Sequence, residues 1–147
     1  MIVTYHPEDS AEPQVWEFIH SRLRETRAEM IEKRYAKLIG EKTAPLDQWR
    51  MAVLQGAAAA RRVLLWHLQN LEHVTLRIED VDPLRSELTV EMSRPELEEL
   101  RAAIAGSTAM DESQRDMMIA ALNADIAKAP EEGLGKAPSK SSDAATG

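Results

Sequence analysis

From Pro45 to Glu72 the chain reads PLDQWRMAVLQGAAAARRVLLWHLQNLE, and its apolar positions recur at helical spacing. Advancing by about 100° per residue puts Leu46, Trp49, Val53, Gly56, Ala57, Ala60, Leu64, Leu68 and Leu71 on one stripe. Asp47, Gln48, Gln55, Arg62 and Gln69 fall opposite. The pattern predicts one continuous helix, and Pro45 suits its first position because a missing N–H costs nothing there. At 1.5 Å per residue such a helix runs roughly 40 Å, long enough to organise the rest of the chain. Gly56 to Ala60 removes side-chain bulk over more than one turn, so a neighbouring backbone can approach closely. Trp66 lies off the stripe, with Leu65 and Leu54 towards its flank. Two readings of that indole are open: a later segment folds back over it, or it anchors a partner surface.

The flanking pattern predicts smaller elements. Ile2–Tyr5 is β-prone, as an edge strand or a loose arm, and residues 1–13 are read as a flexible N-terminal arm. Gln14 to His20 carries Val15, Trp16, Phe18 and Ile19 and reads as a short strand, with the first turns of a helix as the alternative. Ala28, Ile31, Tyr35 and Leu38 repeat at helical spacing within Arg24–Leu38, and Gly40 is a C-terminal stop. Thr75–Ile78 suits a brief extended segment, followed by a turn over Asp80–Pro83. Leu88, Val90 and Met92 alternate with Glu87, Thr89 and Glu91, the signature of a half-buried strand that can pair with Val15–Ile19. Ser93-Arg94-Pro95-Glu96 is a helix start, and the helix that follows uses Leu97, Leu100 and Ile104 up to Gly106. Asp111 caps a last helix carrying Met117, Met118, Ala121, Leu122 and Ile126. The fold expected is mainly α (α+β): a small helical domain over 14–128 built around one long central helix, with short strands. Residues 129–147 are nearly devoid of large apolar side chains and are expected to form a disordered tail.

Composition narrows the function classes. Aromatic residues make up only 4% of the chain, so the core must be built from aliphatic side chains, Met and Ala. With no cysteine, neither disulfides nor thiolate metal sites are available. Polar residues follow Met1–Tyr5, where a signal peptide needs an apolar run. Arg61 and Arg62 interrupt the best apolar stretch, so no membrane span is expected. A net charge of −7 argues against nucleic acid as a partner.

The search for catalytic chemistry returns little. His6, His20, His67 and His73 include no pair at the spacing of a helical zinc site, and each is read as exposed or hydrogen-bonded. Glu79, Asp80, Asp82 and Glu87 crowd one turn but lack the glycine and closing glutamate of an EF-hand loop. Glu25, Glu29 and Glu32 have no Glu-x-x-His companion of the kind used in di-metal bundles. No phosphate-cradling glycine loop or Gly-x-Ser-x-Gly elbow is present. Neither enzymatic activity nor a cofactor is expected; a metal-dependent enzyme built on the Glu79–Glu87 acids is the weakest reading.

Trp49, Gln55-Gly56 with small residues after it, and Ala60-Arg61-Arg62-Val63-Leu64-Leu65-Trp66 resemble the tail assembly chaperones of long-tailed bacteriophages, of the kind infecting actinobacteria. The likeness continues through His73, Thr75-Leu76-Arg77 and Glu79-Asp80-Val81-Asp82, and includes Ile31-Glu32-Lys33 upstream. Val74 and Ile78 depart from it, where a proline and an aromatic are frequent, and Tyr35–Ala44 is longer than the turn expected. It covers roughly Val15 to Arg94, and order and spacing give it its weight. The resemblance implies a non-catalytic protein of the host cytoplasm, absent from the mature virion. It implies that the chain binds the tape measure protein, keeps it soluble and helps recruit tail tube subunits. Homo-oligomers are allowed; nucleic acid and membrane are not expected partners. Within this reading Trp49, Arg62, Leu65 and Trp66 are the residues expected to meet the client, and Met30, Met51, Met92, Met110, Met117 and Met118 to supply adaptable contacts. The family also implies a second form made by ribosomal frameshifting, for which Leu134-Gly135-Lys136 is a compatible site. The alternative from another class is a virion structural protein, such as a connector, neck or tail component with a helical bundle.

Overall fold

The structure, a computed structural model, describes residues 1–129. It is mainly helical with one small sheet, an α+β arrangement. The expected tail beyond Ala129 and the Leu134–Lys136 frameshift site lie outside the described residues. Where the sequence pattern predicts one domain, the chain forms two compact units. One spans Val3–Val90, and the other joins Met1–Ile2 to the described residues from Glu91.

In the first unit, three strands, β1 (Ile2–Tyr5), β2 (Gln14–Glu17) and β3 (Leu88–Glu91), form a sheet in the order β2-β1-β3. The arm expected over residues 1–13 is therefore corrected: Ile2–Tyr5 is the middle strand, with Ile2 and Val3 buried. Pairing on both sides satisfies its backbone groups, which neither an edge strand nor a loose arm achieves. It also separates β2 from β3, which the sequence pattern paired directly. The His6 amide extends the link to β3 by donating to the Glu87 carbonyl at 2.8 Å.

Helix α1 (Glu25–Ile39) ends as Gly40 turns into the left-handed region at φ 75°. The Gly40 amide then reaches the Lys37 carbonyl and the Glu41 amide the Ala36 carbonyl, a Schellman closure. The continuous 45–72 helix is corrected by the same device. Helix α2 (Leu46–Leu54) stops as Gly56 takes φ 85°, with the Gly56 amide on the Val53 carbonyl and the Ala57 amide on the Ala52 carbonyl. The chain then starts again as α3 (Ala58–Asn70). Glycine adopts this backbone without the Cβ penalty other residues meet, so Gly56 works as a helix stop. The small residues after it begin a new helix.

Helix α3 packs against α1, α2 and the 3-10 turn at Ile78–Asp80. Every residue from Val63 to Leu68 is buried. Packing on several sides favours apolar side chains here, and His67 is the one polar residue in the run. Phe18 meets Trp49 and His67 edge-on, with ring centroids at 5.7 and 5.8 Å. The Thr75–Ile78 segment makes no strand; it runs as loop into that 3-10 turn.

In the second unit, α4 (Arg94–Ala105) begins at Ser93, whose amide donates to the Glu96 carboxylate, with Pro95 in the first turn. Glu96 also receives the α-ammonium of Met1. Helix α5 (Glu112–Lys128) is capped by Asp111, which accepts from the Gln114 amide at 2.8 Å. The two helices close on Leu97, Ile104 and Leu122, flanked by Met92, Met110, Ile119 and Ile126. Arg101 adds a hydrogen bond to the Asn123 side-chain oxygen at 2.8 Å.

Candidate functional site: an arginine-lined cavity at the α2–α3 joint

The break at Gly56 leaves the first turn of α3 at the wall of a cavity of about 380 Å³. Ala58 and Ala59 of that turn share its lining with Leu38 of α1, the Asp82–Arg85 segment and Leu88. Leu38 and Leu84 are partly open to solvent, as are Asp82 and Arg85, so the exposed lining mixes aliphatic and charged side chains. Three arginines complete the lining, and each is anchored on a backbone carbonyl. Arg61 Nε donates to Val53 at 3.1 Å, and Arg85 Nη2 to Gly56 at 3.4 Å. Arg62 donates from Nε to Val81 at 2.6 Å and from Nη2 to Ile78 at 3.0 Å. Arg61 and Arg85 converge: a Cβ placed on Gly56 would lie 3.9 Å from one Nη2 and 3.8 Å from the other.

The electrostatics are one-sided. The ion pairs among the described residues join Met1 to Glu96, Glu29 to Lys33 and Arg77 to Asp80, and none involves these three arginines. Asp82 is the single acid in the lining. Ala57, which caps α3, provides no side-chain acceptor, so the positive end of that helix is left to the cavity wall. Each guanidinium has five N–H donors and uses one or two of them on carbonyls, leaving the others for a ligand.

Three of the four residues expected to meet a client are placed elsewhere. Trp49 is fully buried and its indole N–H donates to the Ala60 carbonyl at 3.0 Å, while Leu65 is buried on α3. Trp66 is 1% exposed; its indole N–H donates to the Leu76 carbonyl at 3.0 Å, and the Arg34 guanidinium stacks 4.1 Å from its ring centroid. Of the two readings of Trp66, the covering segment is the one this geometry realises. Trp49, Leu65 and Trp66, expected to meet a client, are all buried in this fold. Arg62 alone of the four lines the cavity.

Asn70 holds that covering loop down. Its side-chain amide reaches the carbonyls of His73, Val74 and Leu76 at 3.1–3.3 Å, while its oxygen accepts from Arg27 at 2.8 Å. His67 departs from the expectation for the histidines: it is buried, and its Nδ1 has no hydrogen-bond partner. Burial, and then the charge of Arg27, lower its pKa to about 4, so it stays neutral in the fold. Two of the acids considered for metal binding, Asp80 and Glu87, hold local structure. Arg77 hydrogen-bonds Asp80 and holds its carboxyl below the usual range, while Glu87 accepts the Leu84 amide at 2.7 Å and the Glu8 amide at 2.9 Å. Among the described residues, no group of three or more His, Asp and Glu is placed to hold a metal ion.

Of the methionines expected to supply contacts, Met51, Met117 and Met118 are exposed, and Met30, Met92 and Met110 are half-buried. Sequence reasoning missed Arg61, Arg85, Leu38 and Leu84. The available signal was Gln-Gly-Ala followed by Arg-Arg, a helix stop and restart that places arginines within a turn of a helix N-terminus. No protein-family model, curated protein or solved structure matches the chain.

Proposed function

We propose that this chain is a tail assembly chaperone of a long-tailed bacteriophage, which binds the tape measure protein and keeps it soluble until tail tube subunits assemble around it. The resemblance across Val15–Arg94 motivates the reading. The observation that supports it best is the cavity at the α2–α3 joint, a pocket with partly exposed leucines and cationic donors inside the resembling segment. Such a surface suits reversible capture of a helical chain, in which apolar side chains seat in a groove while charged groups fix register. The net charge of −7 keeps a loaded complex soluble.

An assembly factor leaves the particle, whereas a connector, neck or tail component stays in it. Mass spectrometry of infected cells and of purified virions separates the two. The chaperone reading expects the protein in the cells and its loss from mature particles. Stoichiometric amounts in virions would replace it with the structural one.

A further inference from the structure

We infer that the cavity at the α2–α3 joint is a docking site for an acidic, aliphatic peptide segment of a partner protein, with one of its carboxylates held by Arg61, Arg62 and Arg85. The proposal rests on the reading of the chain as a partner-binding protein, but not on which protein the partner is. Three guanidiniums around one cavity repel each other, and among the described residues no ion pair neutralises them. The uncapped start of α3 adds positive potential at the same wall. A carboxylate relieves both, accepting charge-assisted hydrogen bonds from the forked donors that the carbonyl contacts leave free.

Charge also limits what else the ligand can be. A nucleic acid or other polyanion meets a chain of net charge −7, whereas one carboxylate meets only the local field. A bare inorganic anion leaves the half-open Leu38 and Leu84 and the apolar wall of Ala58, Ala59 and Pro83 without a partner. An aliphatic side chain next to an acidic one in a helical segment satisfies both halves of the lining. The cavity volume of about 380 Å³ is in the range that accepts such a group.

Fluorescence anisotropy tests the assignment with a blocked, fluorescein-labelled helical peptide built from Leu, Ala and Glu, compared with the same peptide carrying Gln for every Glu. Arg85 is exposed and makes one long carbonyl contact, so Arg85→Gln is expected to fold normally, and its melting temperature checks this. The acidic peptide is expected to bind at least tenfold more tightly than the Gln peptide, and Arg85→Gln to weaken it roughly tenfold. Leu84→Ala is expected to weaken both peptides severalfold. Equal affinity for the two peptides, no binding of either, or unchanged affinity in a folded Arg85→Gln protein overturns the proposal. Inorganic phosphate displacing the peptide at equal potency, with no effect of Leu84→Ala, overturns it in favour of a small-anion site. Capture of the tape measure protein separates the two claims. Full capture by Arg85→Gln removes the site and leaves the chaperone reading. Peptide binding without tape-measure capture by the wild type removes the chaperone reading and leaves the site.

Discussion

The indole N–H of Trp49 donates to the carbonyl of Ala60 at 3.0 Å, tying α2 to α3 across the break at Gly56. Both residues are fully buried, so the joint is held by packing and by a hydrogen bond shielded from water. The carbonyl anchors of Arg61 and Arg85 belong to this joint, at Val53 near the end of α2 and at Gly56 in the break. Its geometry therefore sets where the cavity's cationic donors point.

Ala60→Leu tests the tightness of that contact. With no exposed surface at Ala60, the added side chain has to displace its neighbours. Overpacking of this kind costs ~1–3 kcal/mol, read as a lowered melting temperature or denaturant midpoint. An unchanged midpoint would show that the joint yields without strain.

Gly56→Ala separates backbone strain from crowding. The new methyl would meet Arg85 and Arg61 only at ordinary contact distances of 3.8–4.0 Å, so the cost comes from the positive φ of 85°. A loss of ~1–2 kcal/mol is expected from an L-residue forced into the left-handed region. A variant as stable as wild type would mean that α2 and α3 can join into the continuous helix that the apolar periodicity suggests.

Trp66→Ala is expected to act on stability first. Its indole is enclosed, hydrogen-bonded to Leu76 and stacked under Arg34, and truncating a buried tryptophan costs ~3–5 kcal/mol. Chemical denaturation measures this directly. A protein of near wild-type stability with a specific loss of client capture would return Trp66 to the partner surface.

His67 makes a pH prediction. Its folded pKa is lowered to about 4 from an ordinary 6.5, so between those values the unfolded chain binds the extra proton. Its contribution to stability is fully present above pH 6.5, falls as the pH drops through that window, and levels off near 4. The slope due to one proton is at most about 1.4 kcal/mol per pH unit. Denaturation curves of wild type and His67→Gln between these limits are expected to converge as the pH falls. Parallel curves would show that His67 is protonated in the fold.

Much of the architecture was legible where a local signal names its own element. Gly40 ends a helix, Ser93-Arg94-Pro95-Glu96 and Asp111 start two others, and the alternation from Leu88 marks a strand, because caps and side-chain period act over a few residues. Ile2–Tyr5 was not legible as a central strand, since one of its neighbours lies more than eighty residues along the chain and nothing local announces it. The Gly56 break was hidden because a glycine stop followed by alanines preserves the apolar stripe. That single misreading also concealed the site. Placed in mid-helix, Arg61 and Arg62 look like solvated surface; placed in the first turn of α3, they become the lining of a cavity. Trp66 stayed open for another reason: the loop through Leu76 that covers it carries no local signal of folding back.

Co-expression with a phage tape measure protein encoded beside this chain tests the proposed client binding. The measurement is the fraction of tape measure protein that stays soluble and co-purifies with a tagged copy of this chain. A chaperone gives a soluble complex with the wild-type chain, and the tape measure protein expressed alone is expected to be insoluble. A tape measure protein equally insoluble with and without this chain, and absent from the purified fraction, would contradict it.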